Sequence, residues 1–142
     1  MNIKNRQARF EYEILEEYTA GIILKGTEVK SIRSGDASIA ESYIYEINGE
    51  LWIKNMRVAR YKNASFTNHD ELRERKLLLN KREIDDIITE LKVRGITLIP
   101  LEAFIINNKV KLKIAIVRGK NNYDKRNTIK ERDLERESRR SL

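Results

Sequence analysis

The sequence contains no cysteine. That excludes a disulfide framework, a thiol nucleophile and zinc sites of the cysteine type. It contains one histidine, His69, which argues against a histidine-built metal cluster. No apolar run approaches the roughly 18 residues that a helix needs to cross a bilayer. The N-terminus is charged and lacks an apolar core, so no secretory signal is expected and a cytoplasmic protein is the default. G-x-G-x-x-G, a P-loop and G-x-S-x-G are all missing. What the chain does have is positive charge. Its 29 Lys and Arg against 22 Asp and Glu give a net charge of +7 over 142 residues. Such a balance points to an anionic partner, nucleic acid first. Apolar residues make up 40%, enough for one compact core.

The charge is unevenly spread. From Arg118 to Leu142, nine basic residues stand against five acidic ones. The sizeable apolar side chains there are only Tyr123, Ile129, Leu134 and the terminal Leu142. Such a stretch cannot offset its own ordering entropy. The expected division is therefore a globular body over residues 1–117 and a basic tail over 118–142, disordered alone. Within the tail, Thr128-Ile129-Lys130-Glu131 is a capping box, and Glu135 and Arg139 form an i,i+4 pair. A helix formed on contact with a polyanion suits this pattern better than a standing one.

The body reads mainly as strands. Phe10, Tyr12 and Ile14 alternate with Glu11 and Glu13, a half-buried strand pattern. Asn48-Gly49 between Tyr43–Ile47 and Leu51–Val58 signals a hairpin, because a type I′ turn needs positive φ at both central residues. Asn107-Asn108 marks a second hairpin, between the apolar run Ile96–Ile106 and a strand in which Lys109, Lys111 and Lys113 alternate with Val110, Leu112, Ile114 and Ile116. One face of that strand is core and the other is a row of lysines. Ile84, Ile87, Ile88 and Leu91 make one stripe of a helix from Lys81 to Arg94, with Asn80 and Glu83 as a capping box and Gly95 as the stop. A shorter helix is expected from Glu28 to Arg33, capped by Thr27, ended by Gly35 and buried through Val29 and Ile32. The expected fold is mainly β: a small OB-like antiparallel barrel, which removes exposed edges at this size, with two or three helices and the basic tail. A sandwich or an open sheet with helices on one face is the alternative.

Catalytic candidates are thin. His69 beside Asp70 could be a general base with its orienting carboxylate, but no nucleophile or ligand set accompanies it, and a surface histidine in a polar loop is the plainer reading. Asp85 and Asp86 point about 100° apart on a helix, so they read as first-turn acids rather than a catalytic pair. Binding candidates are richer. Arg6 and Arg9 in the arm Lys4–Arg9 suit bidentate phosphate contact, against the alternative of a solvated terminus. Arg73, Arg75, Lys76, Lys81 and Arg82 surround Leu77-Leu78-Leu79. Three consecutive leucines cannot all face one way: either Leu78 is exposed and packs on a ribose or base, or all three enter the core, which pattern alone favours. In the tail, Tyr123 offers a ring for base stacking.

The segments Asn5–Arg9 with Tyr12-Glu13-Ile14, Ala20-Gly21-Ile22, Gly26–Arg33 with Gly35, Ser42-Tyr43, Arg75–Ile84, Gly119-Lys120, Tyr123–Arg126 and Ile129–Asp133 occur in one order nearly end to end. In these the chain resembles the SsrA-binding (small protein B) family, the bacterial partners of transfer-messenger RNA. The resemblance implies an OB-like barrel and no covalent chemistry or cofactor. It implies binding to the tRNA-like domain of that RNA and its delivery to stalled ribosomes, with elongation factor Tu and GTP as an indirect partner and no membrane role. Asn5, Arg6, Arg9, Arg75, Lys76, Leu78 and Asn80 fall where RNA binding is implied. Gly119, Lys120, Tyr123, Asp124, Lys125, Arg126, Lys130 and Arg132 fall on the implied tail that enters the empty mRNA path and decoding centre of the small subunit. Four positions depart from the usual pattern: Phe10, Thr19, Glu71 and Asn121. A general single-stranded nucleic-acid binder is the alternative function, and a ribosomal interaction protein or a hydrolase using His69 are more distant ones.

Overall fold

The computed structural model describes residues 2–62 and 68–119, with the backbone alone of Arg9. In chain order the elements are β1 (Ile3–Lys4), α1 (Ala8–Glu11), β2 (Tyr12–Ile22), α2 (Gly26–Arg33), β3 (Ala37–Ser38), β4 (Tyr43–Ile47), β5 (Glu50–Lys54), β6 (Arg57–Val58), β7 (Arg75–Leu78), α3 (Lys81–Leu91), β8 (Ile96–Ile106) and β9 (Lys109–Gly119). Strands β8, β4, β5, β7, β2 and β9 follow one another around a sheet, and β9 pairs back onto β8, so the sheet closes into a barrel with every pairing antiparallel. This is the expected small barrel. β1 adds outside β8, and β3 pairs with β6 apart from the ring.

Both hairpins turn where the sequence placed them. Asn48 and Gly49 have φ of 51° and 80°, and Asn107 and Asn108 have φ of 50° and 63°. The left-handed region costs asparagine little, so each pair reverses the chain in two residues. The expected single strand from Leu51 to Val58 is interrupted, because Asn55 also takes positive φ, at 66°, and splits it into β5 and β6. Helix α3 begins as expected: the Glu83 N–H donates to Asn80 Oδ1 at 2.9 Å, and the Asn80 N–H donates to Glu83 Oε1 at 3.2 Å. It lays Ile87, with Ile84 and Leu91, on the barrel core. It ends at Leu91, and Gly95 stands beyond a further tight turn rather than at the stop itself.

Two local expectations are corrected. Phe10 does not start a strand. Ala8 packs into a secondary core, and the helical turn α1 around it leaves Phe10 74% exposed, so β2 begins at Tyr12. Helix α2 begins two residues early, after Lys25 rather than Thr27. Its first turn is held by Glu28, whose Oε1 accepts from the Lys25 N–H at 2.7 Å. Its buried side is Glu28, Ser31 and Ile32, while Val29 is only half-buried.

Apolar residues on β2 and β8 serve two cores because each strand carries a bulge. Pairing of β2 with β9 shifts between Ile14 and Glu16, and pairing of β8 with β9 shifts between Pro100 and Glu102. A single extra residue inverts which parity faces inward. Tyr18, Ala20 and Ile22 therefore enter the main core, while Tyr12 and Ile14 turn to the secondary one with Ala8, Ile99, Leu101, Ala115 and Val117. The same inversion explains why Ile96–Ile106 is apolar almost throughout.

Candidate nucleic-acid interface

The two basic regions singled out in the sequence meet the barrel from different elements. Asn5 ties the arm to β8. Its N–H donates to the Leu101 carbonyl at 2.8 Å and its Nδ2 to the Pro100 carbonyl at 3.1 Å, at the bulge. Its Oδ1 is buried without a protein partner. Arg6 is exposed and shares a shallow cleft with Lys4, Glu102 and Lys113. The backbone of Arg9 lies in α1.

On β7 the alternation settles the three leucines. Leu77 is buried, Leu78 is 49% exposed and Leu79 is half-buried against the core, so Leu78 is the leucine that faces out. Gly21 of β2 is its registered partner, and a Cβ built on Gly21 would lie 3.4 Å from the Leu78 Cβ. Asn80 is exposed, with its side chain committed to the α3 cap. Lys76 is half-buried and its Nζ lies 2.9 Å from Glu50 Oε2. That contact holds the Glu50 carboxyl below its ordinary value.

Arg75 requires a correction. It is 0% exposed. Its Nε donates to Glu28 Oε2 at 2.7 Å and its Nη1 to the Met56 carbonyl at 2.7 Å. Arg73 completes the fork, with Nη2 2.6 Å from Glu28 Oε1 and Nε 3.1 Å from Glu28 Oε2. Burial pushes the Glu28 carboxyl upward, but hydrogen bonds from Arg73, the Lys25 backbone and Arg75 outweigh it and bring it below the ordinary value. Desolvation in turn lowers Arg75, and Glu28 opposes that shift. Arg75 thus joins α2 to β7 in this conformation and presents no side chain to a ligand. No sequence signal marks this pairing, since the partners lie 47 residues apart.

His69 was expected on the surface and is 1% exposed. Its Nε2 lies 2.9 Å from the Val58 carbonyl, which can only accept, so Nε2 carries the proton. Nδ1 then accepts from Thr27 Oγ1 at 2.8 Å. Both ring nitrogens serve the fold, and Asp70 beside it is exposed with Oδ1 3.5 Å from the Leu72 N–H. Among the described residues no group of three His, Cys, Asp or Glu is placed to hold a metal ion, and no helix is long and apolar enough to cross a membrane.

Strand order brings the remaining candidates onto one outer face. Leu78, Gly21, Lys111 and Phe104 are registered neighbours across β7, β2, β9 and β8. Thr19, Lys113, Glu102 and Lys4 form a parallel row across β2, β9, β8 and β1. The Leu78 patch and the arm are therefore linked by the lysine side of β9, which the list of RNA candidates drawn from the sequence omitted. The lysine alternation itself was the available signal. Gly119 ends β9 opposite Tyr12, two residues past the expected body boundary at 117. Lys120, Tyr123, Asp124, Lys125, Arg126, Lys130 and Arg132 lie outside the described residues.

Asn80 offers a test that separates folding from recognition. Asn80→Ala removes the cap and is expected to cost about 1 kcal/mol of stability, whereas Asn80→Ser keeps a capping oxygen and costs little. A side-chain role in RNA contact predicts weaker RNA binding by both variants. Melting curves and binding titrations on the pair check this, and native affinity in Asn80→Ser would leave Asn80 as a cap alone.

A family model described as SmpB protein matches residues 2–142. Relatives named SsrA-binding protein include those of Wolbachia pipientis from Culex pipiens, 53% identical over 96% of this chain and 93% of theirs, and of Phocaeicola vulgatus, 50% identical over 96% and 92%. The relative from Cytophaga hutchinsonii is 51% identical over 99% of this chain and 92% of its own. A chain in a solved structure described as "tmRNA-SmpB: a journey to the center of the bacterial ribosome" superposes with a TM-score of 0.71, at 42% identity over 84% of each chain.

Proposed function

The chain belongs to the SmpB protein family, and from that premise we infer that it is an RNA-binding adaptor of ribosome rescue. It binds the tRNA-like domain of transfer-messenger RNA and helps deliver that RNA to stalled ribosomes in trans-translation. The end-to-end match carries this reading, because it spans the barrel and the C-terminal segment alike. The exposed positions of Arg6, Leu78 and Asn80 support the RNA-facing assignment. The tail, in our reading, becomes ordered in the mRNA path and decoding centre, where Lys120, Tyr123, Lys130 and Arg132 accompany the Asp124–Arg126 triplet. Cytoplasmic action without covalent chemistry or cofactor completes the proposal, and elongation factor Tu with GTP enters through the delivered RNA.

The test is a gel-shift titration of the full chain and of a version ending at Gly119, which keeps β9 whole. Each is titrated with a tRNA-like domain and with an unstructured RNA of equal length. Both proteins are expected to bind the structured RNA far more tightly. Equal binding of the two RNAs would instead mark a general single-strand binder, and loss of binding on truncation would move RNA recognition to the tail.

A further inference from the structure

We propose that the cavity beneath α1 receives the first cation of this chain's own tail, holding the Lys120 ammonium among Glu11, Glu41 and Asn5 Oδ1 in the free protein. The contact needs this chain alone and does not depend on the RNA reading above. The cavity has a volume of about 210 Å³ and lies between the arm, α1, β8 and the residues leading into β4. Ala8 and Ile99, both buried, give it an apolar side, and Tyr12 and Tyr43 line it with rings. Such walls suit an aliphatic stem that carries a positive charge at its end.

The polar groups of the cavity are short of donors. Asn5 Nδ2 is committed to the Pro100 carbonyl, which fixes the amide and leaves Oδ1 able only to accept. That Oδ1 is buried without a protein partner, a costly state for an acceptor. Ser42 Oγ donates to the Ile39 carbonyl at 2.7 Å, so its proton is used within the fold. Glu11 and Glu41 add two carboxylates, and among the described residues neither forms an ion pair. An ammonium brings three donors to Asn5 Oδ1 and the two carboxylates.

The end of β9 delivers such a group. Gly119 pairs with Tyr12, which lines the cavity, and in the same register position 120 falls opposite Glu11. Ala115 and Val117 pack into the secondary core with Ala8, and Gly119 shares their parity on the strand. Nothing lies within 4 Å of where a Gly119 Cβ would stand, so β9 ends on open space at that side. Lys120, outside the described residues, is the next residue of the chain. The following cations, Lys125 and Arg126, would require more of the chain to be ordered, and Asp124 beside them would meet the two glutamates with like charge. Glu11 is half-buried and Glu41 exposed, so the hold is weak and a polyanion can draw Lys120 away. The contact therefore sets the direction in which the tail leaves the barrel without fixing the tail beyond it.

Trypsin reads this contact directly, because a lysine held in the cavity cannot enter the protease. The full chain is digested with a limiting amount of trypsin, and initial cleavage after Lys120 is measured by mass spectrometry as a ratio to cleavage after Arg126. Glu11→Gln/Glu41→Gln is expected to melt like the native protein and to raise the ratio about fivefold, as the loss of two partly exposed ion pairs allows. Asp86→Asn/Glu90→Gln makes the same charge change at exposed positions of α3 and leaves the ratio at its native value. Raising the salt concentration on native protein is expected to increase the ratio as the cavity variant does, and this measurement decides the matter if that variant is destabilised. A ratio that is the same in native protein and the cavity variant, and unmoved by salt, overturns the proposal and leaves the cavity to a cation from another molecule. A rise matched by the α3 variant overturns it as well, since general charge would then account for the effect.

Discussion

Glu28→Ala is expected to destabilise the protein by about 3–5 kcal/mol, the usual cost of removing one partner from a buried charge cluster. The large figure follows from what remains. Arg75 stays fully buried with only carbonyl acceptors, and Arg73 loses both of its short contacts. The Lys25 N–H loses its acceptor at the start of α2 as well. For a body of this size such a loss should lower the melting temperature by about 10 °C or more. Thermal unfolding followed by circular dichroism measures it directly. A variant melting within a few degrees of native would show that the cluster contributes little. The same carboxylate makes stability pH-dependent, with a definite sign. Its folded-state pKa lies below the ordinary value, so its contribution is complete above the unfolded pKa of about 4.3. It is lost as pH falls through the folded value. Native protein should therefore lose stability on acidification in that window, and Glu28→Ala should lose less of it.

The second large effect concerns function without binding. Changing Asp124, Lys125 and Arg126 together to alanine is expected to leave affinity for the tRNA-like domain within about twofold and to abolish tagging of stalled peptides. The exposed candidates for RNA recognition lie on the barrel, and the triplet follows β9 by four residues or more. Losing Lys125 and Arg126 while also losing Asp124 changes the tail's net charge by only one unit, so long-range attraction to RNA is nearly preserved. Parallel measurement of RNA affinity and of peptide tagging on purified ribosomes distinguishes the cases. Tagging at the native rate would remove the tail from the mechanism, and a fall in both readouts would place the triplet in RNA binding instead.

Much of this architecture was legible because its signals are local. Asn48-Gly49 and Asn107-Asn108 set two hairpins, and the stripe Ile84, Ile87 and Leu91 with the Asn80–Glu83 cap set α3. Closure of the sheet followed from several short antiparallel strands. The residues that escaped did so through distance. Arg75 looked like a surface cation because its partners, Glu28 and Met56, come from other parts of the chain. His69 looked exposed in a polar stretch because Thr27 and Val58 supply its burial. The bulges at Leu15 and Leu101 leave no mark in an alternation that assumes constant register, so the secondary core beneath α1 was invisible. Exposure of Leu78 was readable only as one of two outcomes, and strand alternation on β7 decided it.

Barrel closure also dictates when the protein can fold during its own synthesis. Among the described residues β9 is the last strand made, and it pairs on both sides, with β2 and with β8. Gly119 meets Tyr12, the first residue of β2, and until then, among the described residues, β2 pairs in the ring through Gly21 and Ile22 against β7, with the Ile23 N–H on the Lys76 carbonyl just beyond. At about 5–20 residues per second, several seconds separate the two strands. Throughout that interval the inward side chains of β2 and β8 lack their neighbours, and folding must wait for a contact of very long sequence separation. A chain that stops anywhere before residue 119 is therefore left with the seam between β2 and β8 incomplete and its inward side chains open to water.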